Sequence, residues 1–144
     1  MAVTVKDISL WRKEVENKPG VLTQTLEPLA KAGANLKVVM GYRYPCDETK
    51  AAIELYSIAG RKSAAAAQAA GLTPSFIPTL LVQGDDKPGL AHRIARALSD
   101  AGMDLSFFVA QAIGKRYAAI IGFTNETDAK KAAVLIKKAA SKRK

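Results

Sequence analysis

The chain has 144 residues, enough for one medium domain or two small ones, and 49% are hydrophobic, which excludes a chain left disordered for want of a core. The single cysteine, Cys46, excludes an internal disulfide and a cysteine metal cage, and no apolar run is long enough to cross a bilayer. A formal charge of +9 leaves two readings open, a solvated basic surface or an anionic partner. Met1 to Leu10 mixes Lys6 and Asp7 with apolar residues in no signal-peptide pattern, so the expected location is the cytoplasm, with no membrane contact.

Ile8 to Glu16 reads as an extended strand, with Trp11 and Val15 on one face. After Asn17 the period changes. Leu22, Leu26 and Leu29 fall at i, i+4 and i+7, a helical stripe that starts at Pro19, where a missing amide does no harm, and stops at Gly33. Asn17 is the expected cap, and Pro28 inside the stripe predicts a kink. Leu36 to Tyr44 and Ala51 to Ile58 follow as strands joined by a hairpin over Pro45 to Lys50. Ser63 to Ala70 is an alanine-rich helix closed by Gly71, and Leu72 to Phe76 a short strand held to a sheet edge by Pro74.

The order then repeats. Thr79 to Asp85 is a strand, and the helix from Leu90 to Ala101 carries Leu90, Ile94, Ala97, Leu98 and Ala101 on one stripe before Gly102 stops it. Leu105 to Ile113 and Tyr117 to Phe123 form a hairpin around Gly114-Lys115-Arg116. A last helix is capped by Asn125 and turns Ala129, Ala132, Ala133, Ile136 and Ala140 inward. Seven lysine and arginine residues, from Lys130 to Lys144, lie on or after it. With an offset of 69, Lys18-Pro19-Gly20 falls on Lys87-Pro88-Gly89 and Ala32-Gly33 on Ala101-Gly102. Dropping two residues from the first hairpin puts Ala51-Ala52-Ile53 on Ala118-Ala119-Ile120.

Two domains are therefore expected, 1–76 and 77–144. No fourth strand follows the second copy, so its sheet edge is open unless Ala2 to Val5, or another subunit, fills the place. The second copy's hairpin strands are apolar on both faces, with Phe107 and Val109 opposite Phe108, Ala110 and Ala112. Two helices cover one face only, so the other calls for the companion copy or a second subunit, and a homo-oligomer, a dimer in the simplest case, is expected.

The tetrads Asn17-Lys18-Pro19-Gly20 and Asp86-Lys87-Pro88-Gly89 each join a strand to a helix. With Val21-Leu22 or Leu90-Ala91 behind them, and Asn35-Leu36 or Asp104-Leu105 beyond the helix, they make the chain resemble two tandem ACT domains with no catalytic domain attached. The resemblance covers nearly the whole chain. It implies an α+β fold of two ferredoxin-like βαββαβ units, each an antiparallel sheet with helices on one face. It also implies a regulatory protein that binds an amino acid where such domains pair, and that can act on a partner enzyme. The site residues it marks are Asn17, Lys18, Pro19, Gly20, Val21, Leu22 and Asn35, and in the second copy Asp86, Lys87, Pro88, Gly89, Leu90, Ala91 and Asp104.

The residues give such a site a physical basis. Glycine admits a ligand close to the backbone, and the first helical amides suit a carboxylate. Asp86, and less strongly Asn17, can accept from an ammonium group; as plain helix caps they would have no such role. Catalysis has little support. His92 has no second histidine or cysteine beside it, Asp85 and Asp86 point apart on a strand, and neither tetrad has the spacing of a phosphate loop, so no cofactor or metal is expected. An RNA-binding module shares the element order and the basic charge, but Ala119 and Gly122 stand where its stacking rings would be. An oligomerisation pair without ligand is the remaining alternative.

Overall fold

A computed structural model describes residues 3–141. The chain divides into two compact units, one of Ser9–Ser75 and one of Phe76 onward joined by the N-terminal residues through Ile8. In the first, β2 (Trp11–Glu16), α1 (Val21–Lys31), β3 (Val38–Tyr44), β4 (Asp47–Tyr56), α2 (Arg61–Ala69) and β5 (Thr73–Pro74) build an antiparallel sheet of order β3-β4-β2-β5. In the second, β6 (Thr79–Asp85), α3 (Leu90–Asp100), β7 (Leu105–Ile113), β8 (Arg116–Phe123) and α4 (Glu126–Ser141) combine with β1 (Thr4–Ile8) in a sheet of order β1-β6-β8-β7. Each is a ferredoxin-like unit, and β1 stands where the first unit has β5.

The N-terminal strand is a finding of its own. Expected as one strand, Ile8 to Glu16 is broken at Ser9-Leu10, because Ile8 pairs with Thr79 while Trp11 pairs with Leu55 and Pro74. Leu10 is fully buried and its carbonyl accepts from the Ser75 amide at 2.7 Å. Val3 and Val5 pack into the second core, and Gly84 lets them in: a Cβ there would lie 2.8 Å from Val3 Cγ1. Residues 3–8 thus group with the second unit, where β1 fills the open sheet edge; Ala2 lies outside the described residues.

The cores differ in size. Among the described residues, Leu29, Ile53, Leu55, Ala67 and Leu72 form the packed buried cluster of the first, whereas that of the second has fourteen members, among them Val82, Ile94, Leu98, Ile121, Phe123 and Ile136. The helical stripe expected in α1 is rotated: Thr25 and Leu29 are buried, while Leu22 is 42% exposed. Thr25 is tolerated inside because its hydroxyl donates to the Val21 carbonyl at 2.9 Å. In α3, Leu90, Ile94 and Leu98 are buried but Ala101 is exposed as the C-cap. In α4, Ala129, Ala132, Ile136 and Ala140 are buried as expected, Ala133 is half-buried and Ala139 is buried besides, and Asn125 Oδ1 accepts the Asp128 amide at 2.8 Å.

Register overturns one expected equivalence. Val15 pairs with Ala51 and Gly84 with Tyr117, so Ala51 corresponds to Tyr117, not to Ala118. Three residues, not two, are extra in the first hairpin. They are absorbed where Arg43 pairs with Ala51 but Tyr44 with Asp47. A one-residue slip turns every side chain of a strand to the other face, so this error matters.

Candidate functional site

Both tetrads form the same structure. Gly20 (φ 90°, ψ −11°) and Gly89 (φ 80°, ψ 2°) hold the dihedrals of the third position of a type II turn, which glycine alone takes without strain. The Val21 amide donates to the Lys18 carbonyl at 3.4 Å and the Leu90 amide to that of Lys87 at 3.2 Å. Each turn is tied to the neighbouring hairpin, since the Asn17 amide donates to the Thr49 carbonyl at 2.8 Å and the Asp86 amide to the Lys115 carbonyl at 2.9 Å.

Asn17 is not a cap. Neither helix has a side-chain cap hydrogen bond, and the glycine occupies the cap position. Asn17 Nδ2 instead donates to the Glu48 carbonyl at 3.0 Å, which leaves its Oδ1 available as an acceptor. The first intrahelical bonds are Gln24 to Gly20 and Arg93 to Gly89. The amides of Leu22 and Thr23, and of Ala91 and His92, therefore have no acceptor among the described residues. All eight tetrad residues are exposed.

What stands beside the two turns differs. Next to the first is an open cleft of about 210 Å³, floored by Val15, Gly41, Ala51 and Ile53 and rimmed by Asn17, Lys18, Val21 and Leu22. That is room for roughly seven water molecules at ~30 Å³ each, the scale of a small metabolite. Next to the second, Tyr117 replaces Ala51 and is 6% exposed, Gly84 with Val3 against it replaces Val15, and Leu90 replaces half-buried Val21 and is 3% exposed. The Tyr117 hydroxyl and Arg93 Nε are buried without a partner. Burial pushes the Tyr117 hydroxyl pKa up, and the Asp86 carboxylate adds to the rise.

Cations around the first turn are held by carboxylates: Lys18 by Glu16 at 3.4 Å, Arg43 by Glu48 at 3.9 Å and Lys50 by Glu14 at 3.8 Å. Asp47 orders the hairpin that holds Asn17, accepting from the Thr49 amide at 3.0 Å and hydroxyl at 2.5 Å, and these bonds lower its carboxyl pKa. On the opposite face of the same sheet Glu54, 1% exposed, accepts from the Tyr42 hydroxyl at 2.6 Å, with Arg12 Nε 3.9 Å away. Arg12 also donates to the Tyr44 hydroxyl at 2.5 Å, so the cluster ties β3 to β2 across β4.

Asn17, Lys18, Val21 and Leu22 come together at the cleft, and Pro19 and Gly20 form the turn at its edge. Asn35 does not join them. β3 runs parallel to β2, so Asn35 lies before the start of β3 and the tetrad after the end of β2, a strand length of about 23 Å apart. Asp104 is related to Asp86 in the same way. The floor residues Val15, Gly41, Ala51 and Ile53 were not marked by sequence reasoning, because only the three-strand register gathers them.

Protein BT0572 from Bacteroides thetaiotaomicron has the same fold: TM-score 0.73 with 16% identity, over 96% of this chain and 99% of that one. The ligand-free regulatory subunit of aspartate kinase from Thermus thermophilus follows at 0.63 and 14%, over 96% and 97%. That of Thermus flavus gives 0.61 and 16%, over 96% and 97%. The shared fold is a tandem pair of ferredoxin-like units. Identities at this level carry the fold and leave any ligand to be argued from the cleft. Neither a protein-family model nor a curated protein matches the sequence. Among the described residues no helix is long and apolar enough to cross a membrane.

Proposed function

We propose that the chain is a regulatory, non-enzymatic sensor that binds an amino acid or a similar small zwitterion at the first tetrad. The observation that carries this is the open cleft beside a helix start with two unpaired amides. The Leu22 and Thr23 amides receive the carboxylate, Gly20 admits it to the backbone, and Asn17 Oδ1 accepts from the ammonium group. Val15, Val21 and Ile53 receive an aliphatic portion. The second tetrad, Asp86 to Ala91, has the same donors but a filled flank, and is the weaker site.

The regulatory role is supported by the fold shared with regulatory subunits of aspartate kinase. A partner enzyme would read the bound state. The helix-free face of the second sheet presents Phe107, Val109 and Ile113 of β7, and is the surface by which two chains would pair as a dimer. The central strands carry Leu81, Gln83, Ala118, Ile120 and Gly122 on that face and no aromatic residue of their own, and the Phe107 ring from β7 is packed onto Gly122, so RNA binding is not favoured.

A thermal-shift and calorimetric screen against the standard amino acids tests the proposal. One ligand is expected to stabilise the chain, by about 2.7 kcal/mol at a hundred times its Kd. Ala51→Tyr, which copies the second unit's filled flank, is expected to abolish the effect, and Tyr117→Ala to leave it. No shift with any amino acid, or a shift unchanged by Ala51→Tyr, refutes the reading.

A further inference from the structure

The last helix bears a cationic face that folding does not require. In α4 the side turned to the core is Ala129, Ala132, Ile136, Ala139 and Ala140. Turned outward are Lys130, Lys131, Lys137 and Lys138, all exposed, and in their midst Val134, which is 67% exposed. Val134 lies three or four residues from each lysine, so the four ammonium groups surround it, in two pairs seven residues or about 10 Å apart along the axis. No ammonium of the four has an ion pair with a described residue. Helix α2, in the equivalent place of the first unit, exposes two cations, Arg61 and Lys62, in its first turn and then Ala65, Gln68 and Ala69, so the fold itself does not call for a lysine quartet. Lys138, in the last turn, gains from the negative end of the helix; Lys130, Lys131 and Lys137 do not.

We propose that this face docks an acidic segment of a partner protein, with an apolar side chain set over Val134 and carboxylates against the four lysines. Charge complementarity selects the class of partner, and the valine selects within it. Nucleic acid would leave Val134 facing phosphates, and the face offers no arginine fork or stacking ring. A lipid surface would find nothing to insert, since the apolar side of α4 is already in the core. A second copy presenting its own α4 would set the same lysines against these, like charge on like. An acidic helix with carboxylate pairs seven residues apart and a leucine between them matches both the spacing and the apolar centre. The surface is separate from the proposed effector site and does not depend on it.

The test uses the full chain and a synthetic helical peptide of that design, followed by fluorescence anisotropy. Comparators are a scrambled peptide of equal composition, a single-stranded RNA oligonucleotide and vesicles containing an anionic phospholipid. The designed peptide is expected to bind, and to lose about tenfold in affinity between low and physiological salt and about tenfold more with Lys130→Glu/Lys137→Glu. Val134→Ser is expected to weaken it severalfold at unchanged salt dependence, and Lys62→Glu on α2 to leave it unaltered. Circular dichroism melts confirm that these surface variants are folded. Absence of binding, equal binding of the scrambled peptide, indifference to Val134→Ser, or tighter binding of RNA or vesicles through the same lysines overturns the proposal.

Discussion

The two copies share a turn and differ in what fills the space beside it. Gly20 and Gly89 have the same left-handed backbone, and Asn17 and Asp86 are tied to their hairpins by the same hydrogen bond, donated by the backbone amide. In the second copy Tyr117, Leu90 and Val3 close the flank and continue into a core of fourteen buried apolar residues. In the first, Ala51, Gly41 and Val21 leave it open above a core of five. One fold thus yields a well-packed unit and a unit with room at its helix start. Ligand-binding segments belong to the less tightly packed parts of a protein, because a site that is already full has nothing to exchange for a ligand.

The largest expected effect comes from removing residues 1–8, which takes Val3, Val5 and Ile8 from the second unit and bares the edge of β6. A loss of roughly 5 kcal/mol is expected at about 1.5–3 kcal/mol per buried aliphatic side chain. Hydrogen exchange should show it in β6 and α3 and hardly at all in β3 and β4. If both units soften alike, the comparison fails.

Tyr117→Ala empties the filled flank and is expected to cost about 3 kcal/mol in denaturant unfolding, as large-to-small core changes do. Tyr117→Phe sharpens the point. It removes a buried hydroxyl that has no partner and should stabilise by about 1 kcal/mol. In the first unit the counterpart is Tyr42→Phe, which takes a donor from buried Glu54 and is expected to cost about 1–2 kcal/mol.

The smallest effect is in alkali. Burial, then the Glu54 carboxylate, pushes the Tyr42 hydroxyl up to about 12, and Tyr117 is raised by burial and Asp86. Each folded-state value lies above the unfolded one, so the contribution is complete below pH 10 and is lost as pH rises through the folded value, about 12 for Tyr42. Absorbance titration should show Tyr42 and Tyr117 ionising later in the folded chain than in denaturant, and Tyr117→Phe should remove one late group.

The element order from β2 onward, the duplicated turn, the both-sided apolarity of β7 and β8 and the Asn125 cap were legible, because each rests on local periodicity or turn chemistry. The misreadings have physical causes. Leu22 fits a 3.6-residue stripe as well as Thr25 does, and only the internal hydrogen bond of Thr25 explains why the threonine is buried. Asn17 has the chemistry of a cap, but the left-handed glycine takes that position and the asparagine reaches the Glu48 carbonyl. Matching Ala51 to Ala118 followed identity, whereas the ladder follows hydrogen bonds and sets Ala51 against Tyr117.

By itself the sequence determined a βαββαβ half followed by a βαββα half, with a Pro-Gly corner in each, since backbone geometry at a proline, a glycine and an apolar period is decided by neighbours in the chain. Tertiary structure alone decided that the N-terminal strand completes the distant second sheet and that one corner opens on a cleft while the other is packed. Both outcomes depend on contacts between residues far apart in sequence, Val3 with Gly84 and Ala51 with Val15, and no local pattern carries them.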